Sequence, residues 1–202
     1  MHKILSETEK SQNIILTIQE EKYKVVVNEL LAQLVSEKKS VCFVSVNKTV
    51  KAMEKEWKES KISIEKIYFI DCVSKSISKG KISWSDEKTQ YIDNPNALTQ
   101  MSLAIFKLFE EKKIDFFVLD SINTLLIYNQ EKEILKFVHH TAGKLKEGNK
   151  TGIFIYLKEE GNGQLLKKFS QFADKIIESD PPIKKEFVKK KDSMNSFEEI
   201  KL

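Results

Sequence analysis

Five short segments of the chain are rich in β-branched and aromatic residues, and most are continuously apolar instead of alternating with polar residues. Strands that helices cover on both faces have this pattern, because neither face meets water. The pattern predicts buried strands at residues 14–18, 41–46, 67–70, 116–119 and 153–157. We expect these strands to be adjacent and parallel, with four side chains buried among them: Phe43, Phe117, Leu119 and Ile155.

The segments between these strands carry apolar residues at the three- and four-residue spacing of amphipathic helices. They predict helices at residues 25–37, 48–59, 95–112, 130–147 and 163–177. Asn94 and Pro95 have the N-cap and first-turn preferences that would start the third of these helices. Strands that alternate with helices favour an α/β fold with a doubly wound, mainly parallel sheet.

The length of 202 residues fits one domain with a tail. We predict an N-terminal extension at residues 1–12, an α/β domain at residues 13–178 and a lysine-rich tail at residues 179–202. Within the domain, residues 73–93 are expected to form an insertion, with a hairpin around Gly80 and a lone Trp84.

Composition narrows the class of protein. Hydrophobic residues make up 41% of the chain and charged residues 32%, which is typical of a globular protein. No apolar run approaches the roughly 20 residues of a membrane-spanning helix, and the first residues lack the apolar stretch of a signal peptide, so we expect a cytoplasmic protein. Cys42 and Cys72 are expected to be buried free thiols, and the chain offers no zinc site.

All 34 basic residues are lysine. Lysine cannot make the bidentate contact by which arginine reads guanine edges, so any contact with nucleic acid would place point charges on phosphates. The net charge of +4 is too small to indicate nucleic-acid binding by itself.

The fourth predicted strand ends in Asp120 followed by Ser121, so that a carboxylate comes directly after four apolar residues. The run from Asn94 through Tyr128 resembles the second half of a RecA/KaiC-like domain of the archaeal kind. The resemblance extends over about residues 13–178 and implies the sheet of a P-loop NTPase. In that family the carboxylate at this position holds Mg²⁺ through water, and the resemblance assigns that place to Asp120 and Ser121.

The segment in the place of the family's phosphate loop departs from the family pattern. The family has a glycine-rich loop ending in Gly-Lys-Thr or Gly-Lys-Ser, whereas residues 19–30 read QEEKYKVVVNEL and contain no glycine. Such a loop works because glycines let consecutive backbone N–H groups converge on phosphate oxygens. Side chains at every position block that convergence, and Glu20 and Glu21 repel phosphates. Lys24 lies near the place of the family's lysine, but it forms no cradle by itself.

A second departure concerns the glutamate that activates water just after the second strand in family members that hydrolyse ATP. The matching residues here are Asn47 and Lys48. Asparagine cannot accept the proton, and a lysine at its ordinary pKa is already protonated. We therefore expect no hydrolysis and no cofactor, with Mg-ATP as the alternative.

Asp120 also has a simpler structural role open to it. Without a phosphate loop it would cap the turn that follows, through the amides of Ser121 or Asn123. The carboxylate alone therefore does not establish a nucleotide site.

Three hypotheses for function remain open. The first is a pseudo-ATPase, a RecA/KaiC-like scaffold kept for regulation or protein interaction. The second is an ATP-dependent enzyme with an unusual phosphate grip made by Lys24 and Asp120. The third is a nucleic-acid- or ribosome-binding factor that uses its lysines and its C-terminal tail, with Lys189, Lys190 and Lys191 as the tail contacts.

Self-association is the simplest protein contact to expect. Tyr23, Val25, Val26 and Val27 lie close together, and a helix that begins there cannot bury all of them on one face. At least one should face outward, where a partner chain could cover it. We predict a homodimer, because closed two-fold pairs are the commonest assembly.

Overall fold

The computed structural model describes residues 12–78, 86–158 and 163–179. These residues form one sheet in which neighbouring strands are parallel throughout. Its strands are β1 (Asn13–Gln19), β2 (Val41–Ser45), β3 (Ile67–Asp71), β4 (Thr89–Tyr91), β5 (Phe116–Asp120), β6 (Thr151–Lys158) and β7 (Lys175–Ser179). They lie in the order β4-β3-β2-β5-β6-β1-β7.

The five predicted strands are confirmed as adjacent members of this sheet, in the order β3, β2, β5, β6 and β1. Phe43, Phe117, Leu119 and Ile155 are fully buried, as the apolar runs predicted. Parallel neighbours need crossover connections, and these connections lay helices across the sheet. The same geometry brings the carboxyl ends of all the strands to one edge.

Helices cover both faces of the sheet. In the described residues they are α1 (Tyr23–Ser36), α2 (Val50–Glu59), α3 (Ser74–Ile77), α4 (Leu98–Glu111), α5 (Ile122–Tyr128), α6 (Glu131–Glu147) and α7 (Gly163–Phe169). Short 3₁₀ turns at Glu20–Lys22 and Ser170–Phe172 precede α1 and follow α7. Helices α1 and α2 pack on one face, and α4 to α7 pack on the other.

Alternate residues of the central strands enter two separate cores. In β5, Phe117 and Leu119 point into the core beneath α4 to α7, whereas Val118 points into the core beneath α1 and α2. Trp57 of α2 anchors the second core, with its ring 5.3 Å from the ring of Phe43. Helices therefore close both faces of the central strands to water, whereas Ile176 of the edge strand β7 is 43% exposed.

Three predicted helices are confirmed as α1, α2 and α6, with small shifts of their ends. The predicted helix start at Asn94 and Pro95 is wrong, because α4 begins at Leu98. Asn94 instead forms a local turn, in which its Oδ1 accepts the N–H of Asn96 at 3.1 Å.

The edge strand β7 replaces the second half of a predicted helix. The prediction of a helix at residues 163–177 is wrong beyond Phe169, where α7 ends. Ile176 and Ile177 are β-branched and pair in register with β1, so the strand ladder outweighs the helical spacing of the sequence.

The other edge strand, β4, lies within the predicted insertion at residues 73–93. It pairs with β3 through the register Phe69↔Thr89, so this part of the segment belongs to the sheet. The hairpin predicted around Gly80 and Trp84 lies outside the described residues.

Two expectations from composition can be compared with the described ranges. Cys42 and Cys72 are both buried and free, as predicted. Of the helices in residues 12–78, 86–158 and 163–179, none is both long and apolar enough to cross a membrane.

Gly152 of β6 lies where a side chain would collide with two neighbours. A Cβ at this position would sit 2.5 Å from Leu145 Cδ1 and 2.8 Å from Asn13 Oδ1. We expect Gly152→Ala to lower the free energy of unfolding by about 1–3 kcal/mol, because the core must shift to admit it.

Gly143 in α6 provides the matched control, because a Cβ there would meet nothing within 4 Å. Gly143→Ala should raise the free energy of unfolding by about 0.5–1 kcal/mol through its higher helix propensity. Chemical denaturation of both variants and of the unchanged chain measures these two changes in the free energy of unfolding. A Gly152→Ala variant as stable as Gly143→Ala would contradict this account of the packing.

Candidate functional site

Three adjacent strands end in polar residues at the carboxyl edge of the sheet. Ser45 at the end of β2 pairs in register with Asp71 at the end of β3 and with Asp120 at the end of β5. All three residues are buried. Ligands of open parallel sheets bind at this edge, so the two carboxylates are the first candidates for a site.

Asp71 uses both carboxylate oxygens in hydrogen bonds within the chain. Its Oδ1 accepts the N–H groups of Val73 and Ser74 at 2.9 and 2.8 Å. Its Oδ2 accepts the Val50 N–H at 2.8 Å and the Ser74 hydroxyl at 2.5 Å. Because Val50 begins α2, Asp71 fixes the first turn of that helix to the end of β3. This carboxylate therefore has a structural role.

Asp120 has a different environment. The hydroxyl of Tyr23, the first residue of α1, donates a hydrogen bond to Asp120 Oδ2. Asp120 Oδ1 is buried and has no hydrogen-bond partner among the described residues. The peptide bond between Asp120 and Ser121 is cis. A buried carboxylate oxygen without a partner is energetically costly, so the Tyr23 hydroxyl is the main compensation that the fold provides here.

Burial dominates the ionisation of this pair. It raises the pKa of Asp120 to about 6, and the hydrogen bond from Tyr23 and the positive charge of Lys48 oppose the rise only in part. Burial, followed by the negative charge of Asp120, raises the pKa of Tyr23 well above its ordinary value. Tyr23 therefore stays protonated at neutral pH and remains a donor to Asp120.

Two lysines beside Tyr23 are paired with one glutamate. Lys48 Nζ lies 3.1 Å from Glu56 Oε2 and 5.9 Å from the centre of the Tyr23 ring. Lys24 Nζ lies 3.3 Å from Glu56 Oε1, and most of the Lys24 side chain is exposed. Burial by itself would raise the pKa of Glu56, but the hydrogen bonds and charges of Lys48 and Lys24 outweigh burial and lower it. The structure therefore directs Lys24 to Glu56 instead of to Asp120.

The segment that follows β1 is helical. Glu20–Lys22 form a 3₁₀ turn, and α1 begins at the next residue. Side chains fill the space beside it, and the cavity lined by Tyr23, Phe43, Lys48 and Glu56 measures only about 10 Å³. Among the described residues, no group of three or more His, Cys, Asp and Glu is placed to hold a metal ion. These residues do not fit Mg-ATP in the manner of a glycine-rich loop, whose backbone N–H groups must converge on phosphates.

A groove of about 470 Å³ opens at the same edge of the sheet, and we call it the α5 groove. Ile127 of α5, Leu157 of β6 and Leu165 of α7 contribute apolar side chains to its lining. Glu20 and Asn47 contribute polar groups. Ile127 is 77% exposed, which makes the α5 side of the groove an apolar surface open to solvent.

The turn after β5 is capped by a different residue from the one predicted. Ser121 is the N-cap of α5, and its hydroxyl accepts the N–H of Thr124 at 3.4 Å. The expectation that Asp120 caps this turn is wrong, because its carboxylate points to Tyr23. Ser121 thus follows Asp120 in the chain and acts as the N-cap of α5.

The predicted interaction surface is only partly exposed. Val25 is 44% exposed and faces outward, as at least one residue of this segment was expected to do. Val26 is fully buried, because one helical step turns it into the core beneath α1 and α2. The expectation that Val26 contacts a partner chain is therefore wrong. The tail residues Lys189, Lys190 and Lys191 lie outside the described residues.

Among solved structures, the chain is similar to the crystal structure of the KaiC-like protein PH0186 from the hyperthermophilic archaeon Pyrococcus horikoshii OT3. The TM-score is 0.59 at 14% sequence identity, and the match covers 83% of this chain and 70% of that chain. The chain has a KaiC-like, RecA-type fold. No family model and no curated protein matches the sequence. At this identity the likeness establishes the RecA-type fold, and function has to be argued from the site.

Sequence reasoning identified Asp120 in this RecA-type fold but missed two features of its surroundings. The signal of four apolar residues followed by aspartate occurs twice, and the same signal would have found Asp71 at the end of β3. The Tyr23 contact joins residues 97 positions apart, so no local pattern could show it.

Asp120→Asn removes the buried charge and keeps an acceptor for Tyr23. The folded pKa of Asp120, about 6, lies above the ordinary value of 3.8, so the folded chain holds this proton more tightly than the unfolded chain. The charged carboxylate therefore lowers the free energy of unfolding as the pH rises from about 4 to about 6. The free energy of unfolding of Asp120→Asn, taken relative to that of the unchanged chain, should therefore be higher at pH 7 than at pH 4 by on the order of 2–3 kcal/mol. Urea unfolding at the two pH values measures this gain.

Asp71→Asn is the matched control at the neighbouring carboxylate. Its amide NH₂ would replace an oxygen that accepts two donors. We therefore expect the free energy of unfolding to fall by about 1–3 kcal/mol at neutral pH. If the difference between Asp120→Asn and the unchanged chain were the same at both pH values, the raised pKa of Asp120 would be wrong.

Proposed function

We propose that this chain is a non-catalytic RecA/KaiC-like pseudo-ATPase that acts as a regulatory or protein-interaction module. The observation that carries the proposal is the hydrogen bond from Tyr23 to Asp120. Members of the resembled family hold Mg²⁺ through water with the carboxylate at this position. Here the carboxylate is 1% exposed and lies against a tyrosine from the segment that replaces the phosphate loop.

The charges around Tyr23 support the same proposal. Lys24 and Lys48 lie close to Tyr23 in the structure, and both are paired with Glu56. Asn47, at the place of the family's catalytic glutamate, cannot accept a proton from water. Binding of the phosphates and activation of water thus both lack the groups that family members use.

The alternative of an ATP-dependent enzyme requires a different arrangement of these side chains. A phosphate grip by Lys24 and Asp120 would need the Lys24 amine to leave Glu56 and the Tyr23 hydroxyl to leave Asp120. A binding-competent state that is rarely populated lowers the apparent affinity in proportion to its population. The alternative of RNA or ribosome binding stays a prediction, because its tail lysines lie outside the described residues.

We place the protein-interaction surface of this proposal at the α5 groove. Ile127 and Tyr128 are consecutive, and they are 77% and 52% exposed. Exposed apolar and aromatic side chains beside a groove are characteristic of surfaces that bind another protein segment. This surface replaces the one predicted at residues 23–26, where only Val25 is strongly exposed among the apolar side chains.

Thermal unfolding with and without millimolar Mg-ATP tests the proposal. We expect no appreciable shift of Tm, whereas a ligand at about 100 times its Kd would add roughly 2.7 kcal/mol of stability. Asp120→Ala is the matched variant. An upward shift in the unchanged chain that disappears in Asp120→Ala would overturn the pseudo-ATPase proposal in favour of the enzyme.

A further inference from the structure

The apolar wall of the α5 groove is fixed in its outward orientation. Ile122 and Leu125, on the inner side of α5, are fully buried in the core beneath α4 to α7. They hold this seven-residue helix so that Ile127 projects to solvent. No described residue covers Ile127, and covering such a side chain would stabilise the chain by removing apolar surface from water.

The described chain ends at Ser179, close to this groove. Ser179, the last residue of β7, pairs with Ile18 of β1, and Ile18 pairs on its other side with Leu157. Since Leu157 lines the groove, Ser179 lies two strand spacings, or about 10 Å, from the groove lining. An extended chain covers about 3.3 Å per residue, so a few residues beyond Ser179 are enough to enter the groove.

The composition of the tail matches the groove in two respects. Residues 183–200 carry large apolar side chains, two near lysines and two beside Glu198 and Glu199, namely Ile183, Phe187, Phe197 and Ile200. The groove offers apolar side chains from α5, β6 and α7, together with the carboxylate of Glu20. The neighbouring Glu21 is also exposed, so the lysines near Ile183 and Phe187 would meet acidic groups at the groove mouth.

We propose that residues 183–200 of this chain dock in the α5 groove and cover Ile127. The tail then occupies the α5 groove, which is also the surface that we propose for a protein partner. A partner must therefore displace the tail before it binds. This regulatory meaning rests on the proposed function, whereas the docking itself does not. The occupant is intramolecular, which makes the coverage of Ile127 independent of protein concentration.

Thiol labelling of the full chain measures this coverage. The native Cys42 and Cys72 are fully buried, so a maleimide reagent reports on an introduced thiol. Ile127→Cys places the thiol in the groove, and Leu103→Cys places it on α4 at a residue that is 65% exposed. Each is made in the natural tail and in a tail with Phe187→Ser, Phe197→Ser and Ile200→Ser. Both introduced sites are exposed, so folding is preserved, and matching Tm values check this.

We expect the tail substitutions to speed labelling of the Ile127→Cys thiol by about tenfold, as for a site released from protection, and to leave the Leu103→Cys thiol unchanged. An unchanged rate at Ile127→Cys would overturn the proposal. Slow labelling that speeds on dilution of the natural chain would also overturn it, because a second copy would then be the occupant. No nucleotide enters the measurement, so a positive Mg-ATP result would leave this inference standing.

Discussion

The hydrogen bond between the Tyr23 hydroxyl and the Asp120 carboxylate links the two halves of the carboxyl edge of the sheet. Asp120 is placed by β5, at the centre of the sheet, and Tyr23 is placed by the turn after β1. Burial makes the charge on Asp120 costly, and the tyrosine hydroxyl is the donor that compensates it. The ring of Tyr23 also lies beneath Lys48, whose amine is held by Glu56. Tyr23 therefore contacts both the buried carboxylate of Asp120 and the amine of Lys48.

The all-parallel sheet makes this contact possible. Helices α1 and α2 cover one face and α4 to α7 cover the other, and the buried carboxylates of Asp71 and Asp120 lie at strand ends. At the carboxyl edge, Asp71 accepts a hydrogen bond from the first residue of α2, and Asp120 accepts one from the Tyr23 hydroxyl. The α5 groove opens at the same edge, on the side of β1 and β6. The fold thus separates a closed polar site from an open apolar surface that can serve binding.

The sequence predicted the features that depend on local patterns. Continuous apolar runs gave the five central strands, since burial on both faces leaves a direct mark on composition. The edge strand β7 was missed because its pairing with β1 depends on a partner more than 150 residues away. The sequence shows directly that no glycine follows β1 in residues 19–30. It does not show the hydrogen bond from Tyr23 to Asp120, because that contact depends on how β1 and β5 are arranged in space. Val26 was misjudged for the same reason, because helix phase alone does not say which side meets the core.

The ionisation of Asp120 gives the most direct test of the Tyr23–Asp120 contact. A ¹³C NMR titration can follow the Asp120 carboxyl carbon in the unchanged chain and in Tyr23→Phe, which removes only the hydroxyl. We expect a pKa of about 6 for Asp120 in the unchanged chain. We expect a higher pKa of Asp120 in Tyr23→Phe, because the donor that stabilises the charged form is lost. A pKa of Asp120 near the ordinary 3.8, or the same pKa in both chains, would contradict the contact.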